Sequence, residues 1–401
     1  MKMRILHVIP GDNFTEGMGY KDNYLAAINV QDGHDVLILS SCKTWKDSKI
    51  EYTTPCDKIM DNGVRLIRRK YKKYINDHVS SKLRVLDDAY AIVEDFRPDV
   101  IRVLNPHNFT LPIIVEYKKK HPQIKLYVDS HQEYYNSGTG FLSYWVFHKF
   151  LVCRMLQSSL DYIDKVFYCL EGTKLFLQEM YDIPSSKMEF YPMGGIIRDY
   201  DERQIIRKRI REALRIKEDE IMMVHSGKMT AGKRTKEILE ALAELTNRSF
   251  RLVLIGSIPK DMEPILTPLI EADSRVIFLG WKTAEELEEY IIAGDIYLQP
   301  GTASATIYKA LCAGSALVVA PDIKGYDEFM KGVGWYGKTK EEFARIFDVI
   351  SEEPLILREM GDRAVIIARE VFDYRTLAAR LYSEDKKGLF YSTFQNSGMR
   401  S

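Results

Sequence analysis

The sequence predicts an α/β protein built from two doubly wound, parallel-sheet domains in tandem. Three observations carry this. Short runs rich in Ile, Leu and Val alternate with helical periods along most of the 401 residues. The runs are almost unbroken rather than alternating with polar residues, as strands covered by helices on both faces are. The pattern stops where Pro-Met-Gly-Gly begins at Pro192, then starts again with a unit of similar size.

In the first half, strands are expected at 3–9, 35–40, 99–104, 125–129 and 165–169. Helices are expected at 21–30, 81–96, 112–121 and 144–160, and a glycine-rich loop (Gly11, Gly17, Gly19) follows the first strand. In the second half, strands are expected at 220–225, 250–255, 276–279, 296–299 and 316–320, with helices at 234–245, 284–293 and 306–313. The expected domains are 1–195 and 196–372, followed by a helix over 373–390 that returns to the first domain and a polar tail over 391–401. Ligands bind such sheets at the carboxyl ends of the strands. Two facing sheets would then form a cleft suited to a reaction between two bound molecules, whereas sheets packed side by side would not.

Composition narrows the function. With 57 Lys+Arg against 57 Asp+Glu there is no global basic field, which argues against nucleic acid as a partner. Five scattered cysteines without a CxxC pair argue against a disulfide framework and a zinc site, and fit a reducing, cytoplasmic setting. No apolar stretch reaches the ~18 residues of a membrane span. The apolar run at the N-terminus stops at Pro10 and Gly11, too short for a signal-peptide core.

The sharpest local signal is HSGKMTAGKRTKEILEAL at 225–242. A strand ends at Gly227, Lys228 follows at once, and Lys233 and Arg234 open the next helix. The free amides and positive dipole end of a helix N-terminus, with two lysines beside them, suit a diphosphate. The spacing approaches a Walker A loop, but Arg234 stands where Ser or Thr would bind magnesium. An ordinary solvated turn fits the same residues. A second signal is the strand end at Pro300 followed by Gly301, Thr302, Ser304 and Thr306 ahead of a helix. Small residues admit a ligand to the backbone, and the hydroxyls suit either phosphate or simple N-capping. A third is His131 in VDSHQEYY, at a strand's carboxyl end, where function and a structural role both fit.

Taken in order, strand–GK–x4–KR–helix, FLGW at 278–281, TAEELEEYI, and the Pro-Gly loop leading into KALCAGSALVV resemble retaining glycosyltransferases of family four. That resemblance implies the GT-B fold, in which two Rossmann-like domains face each other across a cleft. It implies a nucleotide-sugar donor, a diphosphate gripped by Lys228 and Lys233, and a base cupped by Phe278, Trp281 and Lys282. It also places His131 beside the donor sugar, and matches Gly17 and Gly19 to the family's glycine loop. Catalysis by Lys228, Lys233 and His131 would need no metal or other cofactor.

The family's two glutamates, eight residues apart, fall at Gly301 and Lys309 here. An ammonium cannot accept from ribose hydroxyls as a carboxylate does. Two functions therefore stay open. One is a glycosyltransferase acting with retention on a glycan or lipid-linked acceptor in surface polysaccharide or glycoconjugate synthesis. The other is a degenerate relative that binds a glycan or partner without turnover. A sugar-nucleotide epimerase would need acid/base carboxylates that the strand ends do not offer. The basic run RLIRRKYKK at 65–73 and the aromatic stretch 141–156 further suggest peripheral contact with an anionic membrane. A solvated basic turn beside an internal helix fits them as well.

Overall fold

In the computed structural model the chain divides into two compact units, Met1–Pro192 with the described residues from Leu377 to Ser383, and Met193–Thr376. The structure describes residues 1–46, 49–301, 304–323 and 325–383. The expected tail, and the end of the expected C-terminal helix, lie outside the described residues.

The strands of the first unit are β1 (Arg4–Ile9), β2 (Asp35–Ser41), β3 (Lys43–Lys46), β4 (Lys49–Tyr52), β5 (Cys56–Ile59), β6 (Arg65–Arg69), β7 (Val100–Leu104), β8 (Lys125–Ser130), β9 (Lys165–Tyr168) and β10 (Met188–Phe190). Eight of them form a sheet in the order β10-β9-β8-β7-β1-β2-β6-β5, parallel except for the β5–β6 pair. Strands β3 and β4 form a separate antiparallel pair. The helices are α1 (Lys21–Gln31), α2 (Asp77–Leu83), α3 (Ala89–Phe96), α4 (Leu111–Lys120), a π-helix (Leu142–Val152), α5 (Cys153–Ser159) and α6 (Glu171–Tyr181). Both sheet faces are covered, which explains the unbroken apolar runs. Leu6, Val8, Leu37 and Leu39 face one core, while Ile9, Val36 and Ile38 face the other. Each such side chain removed from water contributes about 1.5–3 kcal/mol.

Three expectations need correction here. The helix expected over 81–96 is two helices, because Arg84 and Asp88, both at φ 55°, take left-handed conformations that break it. The helix expected over 144–160 is the π-helix followed by α5. The basic run is not a free turn: residues 65–69 are β6, and Arg68 is only 2% exposed. Its guanidinium donates to Phe14 O (2.9 Å) and Ser41 O (3.1 Å), anchoring the loop after β1. Arg65 is bound by Asp57 at 2.8 and 2.9 Å. Exposed cations of the run begin at Lys70.

The second unit contains α7 (Tyr200–Ala213), β11 (Ile221–Lys228), α8 (Thr235–Glu244), β12 (Phe250–Ser257), α9 (Glu263–Ala272), β13 (Val276–Phe278), α10 (Ala284–Ala293), β14 (Ile296–Gln299), α11 (Thr306–Ala313), β15 (Ala316–Val319), α12 (Asp327–Met330), β16 (Gly334–Tyr336), α13 (Lys340–Glu352) and α14 (Ile356–Val371). Its sheet is wholly parallel, in the order β13-β12-β11-β14-β15-β16. Met223, Leu252, Leu298 and Val318 pack there against Leu239, Phe343 and Phe347. Helices α10 and α13 begin in capping boxes, Thr283 with Glu286 and Thr339 with Glu342.

Helix α15 (Tyr374–Ala379) carries the chain from the second unit to the first and is shorter than the helix expected over 373–390. Within the first unit, Tyr191 Oη donates to Leu377 O (2.8 Å) and Arg380 binds Glu189 (2.6 Å). Among the described residues no helix is long and apolar enough to cross a membrane.

Candidate functional site

Strand β11 ends in Gly227 and Lys228, in register with Gly256 and Ser257 of β12. Gly256, at φ +137°, has no room for a side chain: a Cβ there would lie 1.9 Å from Gly227 O. Gly227 sits at φ +123°, and a Cβ there would come within 3.3 Å of Lys233 Cε and Nζ. The Lys233 amine therefore lies over the Gly227 backbone. Lys233 closes a short 3-10 turn (Ala231–Lys233), Arg234 turns left-handed at φ 60°, and α8 begins at Thr235. The first-turn amides of α8 have no acceptor within the helix and point their dipole end outward.

The second loop joins the first. A Cβ on Gly301 would lie 2.1 Å from Gly232 O and 2.8 Å from Lys233 Cα, so this glycine lets the β14–α11 loop pack on the β11–α8 loop. Ser304 Oγ and Thr306 Oγ1 are 2.9 Å apart, and Ser304 N lies 3.4 Å from Tyr326 Oη. Thr302 lies outside the described residues. Below these loops, His225 bridges Leu298 O (2.8 Å) and Thr235 Oγ1 (2.9 Å), and Ser226 meets Tyr297 Oη at 2.7 Å. Burial holds the His225 pKa down to about 4, so its ring is neutral and structural.

The electrostatics of the two loops are uneven. Arg234 is bound by Glu237 at 3.0 Å. Among the described residues no carboxylate pairs with Lys228 or Lys233. Burial lowers the pKa of Lys233, and an anion beside it would offset that desolvation. The Lys233 amine over Gly227, the helix-end amides and the hydroxyls of the second loop, with exposed Lys228 at the strand end, are groups of the kind that bind a multiply charged anion.

The remaining expected residues of this unit lie farther along the edge. Phe278 ends β13, two strands from β11; Trp281 beyond it is 77% exposed, and Lys282 pairs with Glu286 (3.7 Å). Lys309 lies on α11 with its backbone against Gly195, where a Cβ would be 3.1 Å from Lys309 Cα. Gly227, Lys228, Lys233 and Gly301 are thus neighbours; Phe278, Trp281 and Lys282 lie at and after the end of β13, and Lys309 lies on α11, which the Gly301 loop enters.

His131, Gly17 and Gly19 belong to the first unit. Gly17, at φ +73°, lies in an exposed loop with no heavy atom within 4 Å of a would-be Cβ. His131 follows β8; its amide donates to Asn105 Oδ1 (2.9 Å) and its Nε2 lies 3.6 Å from Asp129 Oδ1. Burial outweighs Asp129 and lowers the His131 pKa, leaving a neutral imidazole at neutral pH.

Beneath His131 is a charge network that the sequence reading did not name. Asp129 Oδ2 accepts from Lys21 Nζ (3.0 Å) and from Arg102 Nε (3.0 Å) and NH2 (2.5 Å), and Arg102 also binds Asp22 (2.7 Å). Burial alone would raise the Asp129 pKa, but Lys21 and Arg102 hold it far below the usual carboxylate range. Its one sequence signal is an aspartate inside an apolar strand, VDS, two residues before His131.

Residues 220–347 match the family model described as Glycosyl transferases group 1. Among curated proteins no relative matches the chain. Among solved structures, a glycosyltransferase from Rickettsia africae ESF-5 aligns with a TM-score of 0.65 at 13% identity, covering 98% of this chain and 100% of that one. Sucrose-phosphate synthase from Thermosynechococcus elongatus aligns at 0.63 and 14%, covering 94% and 97%. Anabaena Alr3699/HepE in complex with UDP aligns at 0.60 and 15%, covering 95% and 98%. The chain thus has the GT-B fold over almost its whole length, with a glycosyl transferases group 1 region in its second unit.

Proposed function

We propose that the protein is a glycosyltransferase that takes a sugar from a nucleotide-sugar donor and passes it, with retention, to a glycan or lipid-linked acceptor in surface polysaccharide or glycoconjugate synthesis. The observation that carries this is the pair Lys228 and Lys233, unpaired with carboxylate among the described residues, at the end of β11 inside the group 1 region. UDP bound to the structurally similar HepE supports a diphosphate as the anion.

The chemistry follows from charge. As the anomeric C–O bond of the donor breaks, negative charge develops on the leaving diphosphate. Lys228, Lys233 and the α8 amides stabilise that charge more than they stabilise the intact donor. The acceptor hydroxyl attacks from the same face and gives its proton to the departing diphosphate oxygen, which preserves the configuration. His131, kept neutral, supplies a hydrogen bond to the donor sugar. Two lysines on the phosphates suit a reaction that needs no metal, carried out in the cytoplasm.

Gly301 and Lys309, in place of the two family glutamates, favour a second reading: a subunit that binds a nucleotide or glycan without turnover. Release of nucleoside diphosphate from a panel of sugar nucleotides, with and without candidate acceptors, separates the two. Release that rises with acceptor and is lost in Lys233→Ala supports the enzyme. Nucleoside diphosphate binding without release from any donor supports the second reading. Neither binding nor release contradicts both.

A further inference from the structure

The π-helix Leu142–Val152 is apolar on both sides, and among the described residues only one side packs on the core of the unit. His148 and Val152 are buried, and Tyr144 and Phe147 pack on the core of the first unit. Phe141 (74%) and Leu142 (72%) are largely exposed, as are Trp145, Val146 and Phe150. Their spacing of four to five residues matches the wide turn of a π-helix, so they form one continuous stripe. Single exposed apolar residues are ordinary; a contiguous aromatic stripe marks an interaction surface.

The stripe has basic neighbours on the same edge of the unit. Lys70 O accepts from Asp87 N (3.0 Å), Lys72 N donates to Val85 O (2.8 Å), and Tyr74 N donates to Ser80 Oγ (3.0 Å), so segment 70–74 is paired along 80–87. Arg84 of that segment bonds the His107 ring, which lies 5.8 Å from the ring of His148 on the π-helix. Lys70, Lys72, Lys73 and Lys82 are exposed and, among the described residues, carry no carboxylate partner; the acidic residues of 65–88 are Asp77, Asp87 and Asp88, against Arg65, Arg68, Arg69, Arg84 and these four lysines. Ile75, 89% exposed, projects among them.

From this juxtaposition we infer that the carboxyl-edge face of the first unit docks on an anionic lipid bilayer, the lysines on headgroups and the π-helix stripe in the interfacial layer. Lysines near an anionic surface attract it electrostatically, and aromatic and aliphatic side chains suit the boundary between headgroups and acyl chains. Arg68 takes no part, being buried. The inference does not depend on the transfer reaction.

The test is co-sedimentation of the full chain with vesicles of phosphatidylcholine, with and without phosphatidylglycerol, alongside quenching of tryptophan fluorescence by brominated lipid. Binding should require phosphatidylglycerol and fall with added salt. It should drop about tenfold or more in Lys70→Gln/Lys72→Gln/Lys73→Gln and in Phe141→Ser/Phe150→Ser, with thermal unfolding unchanged. Quenching should disappear in Trp145→Phe while binding persists. No binding to anionic vesicles at low salt by folded protein would overturn the inference. So would a lipid-free dimer that dissociates in Phe141→Ser/Phe150→Ser, which would assign the stripe to a second copy of the chain.

Discussion

At the carboxyl edge of the first unit, buried Asp129 meets Lys21 and Arg102, and Arg102 meets Asp22. At the matching edge of the second unit, Lys228 and Lys233 have no such carboxylate among the described residues, although Arg234 beside them has Glu237. Two parallel-strand edges thus carry different charge: buried, mostly paired ions in the first unit, and two cations without a carboxylate among the described residues in the second. On the proposed reading, the difference separates charge that holds a fold from charge kept for a ligand. Removing a member of a sealed network leaves its partners unpaired in low dielectric. Removing an open cation removes only what it would bind.

That contrast sets the order of expected effects. The largest is Asp129→Asn, which among the described residues leaves Lys21 with no carboxylate and Arg102 with Asp22 alone. A loss of about 3–5 kcal/mol in unfolding free energy is expected. Urea titration checks it, and stability equal to that of the parent chain would break the comparison. Lys228→Ala should leave the urea midpoint unchanged.

Both units contain buried neutral histidines, which predicts a shared response to acid. His7, burial foremost and Arg102 next, and His225, by burial, have pKa values held down to about 4. The unfolded chain, near 6.5, then binds more protons below that pH. Stability is therefore full above about pH 6.5 and falls as pH drops toward 4, by about 1.4 kcal/mol per pH unit for each histidine. Urea midpoints between about pH 7 and pH 4.5 measure the slope, and His225→Gln should reduce it. A flat profile would contradict the neutral assignment.

A smaller, local effect is expected at the loop junction. Gly301→Ala places a Cβ against Gly232 O and Lys233 Cα, so the β11–α8 loop must shift. Nucleoside diphosphate affinity should fall by about tenfold, roughly 1.4 kcal/mol, with unfolding little changed. The smallest effect belongs to Thr283→Ala, which removes the side-chain half of one capping box and costs about 1 kcal/mol of stability. Unchanged donor affinity in that variant would confirm that the two kinds of effect separate.

Much of this fold was legible because parallel strands covered on both faces write themselves as apolar runs, and strand-end glycines mark where they stop. Strand β6 was hidden because Arg65, Arg68 and Arg69 flank only two apolar residues, and the burial of Arg68 depends on acceptors at Phe14 and Ser41 that sequence spacing does not place beside it. The break between α2 and α3 falls at Arg84 and Asp88, left-handed without a glycine to announce it. At the site, Lys228 and Lys233 were visible because helix-start chemistry is local. The Gly301 contact and the Asp129 network were not, since each joins residues far apart in the chain.

The most direct measurement is titration calorimetry of a panel of nucleoside diphosphates and monophosphates against the parent chain, Lys228→Ala and Lys233→Ala. A hydrogen bond to a charged group contributes about 1.5–3 kcal/mol. The open-cation account therefore predicts that each substitution weakens the diphosphate by about tenfold to a hundredfold and the monophosphate less, with thermal unfolding unchanged. Diphosphate affinity equal to that of the parent in both variants, or no binding of any diphosphate by the parent, would contradict it.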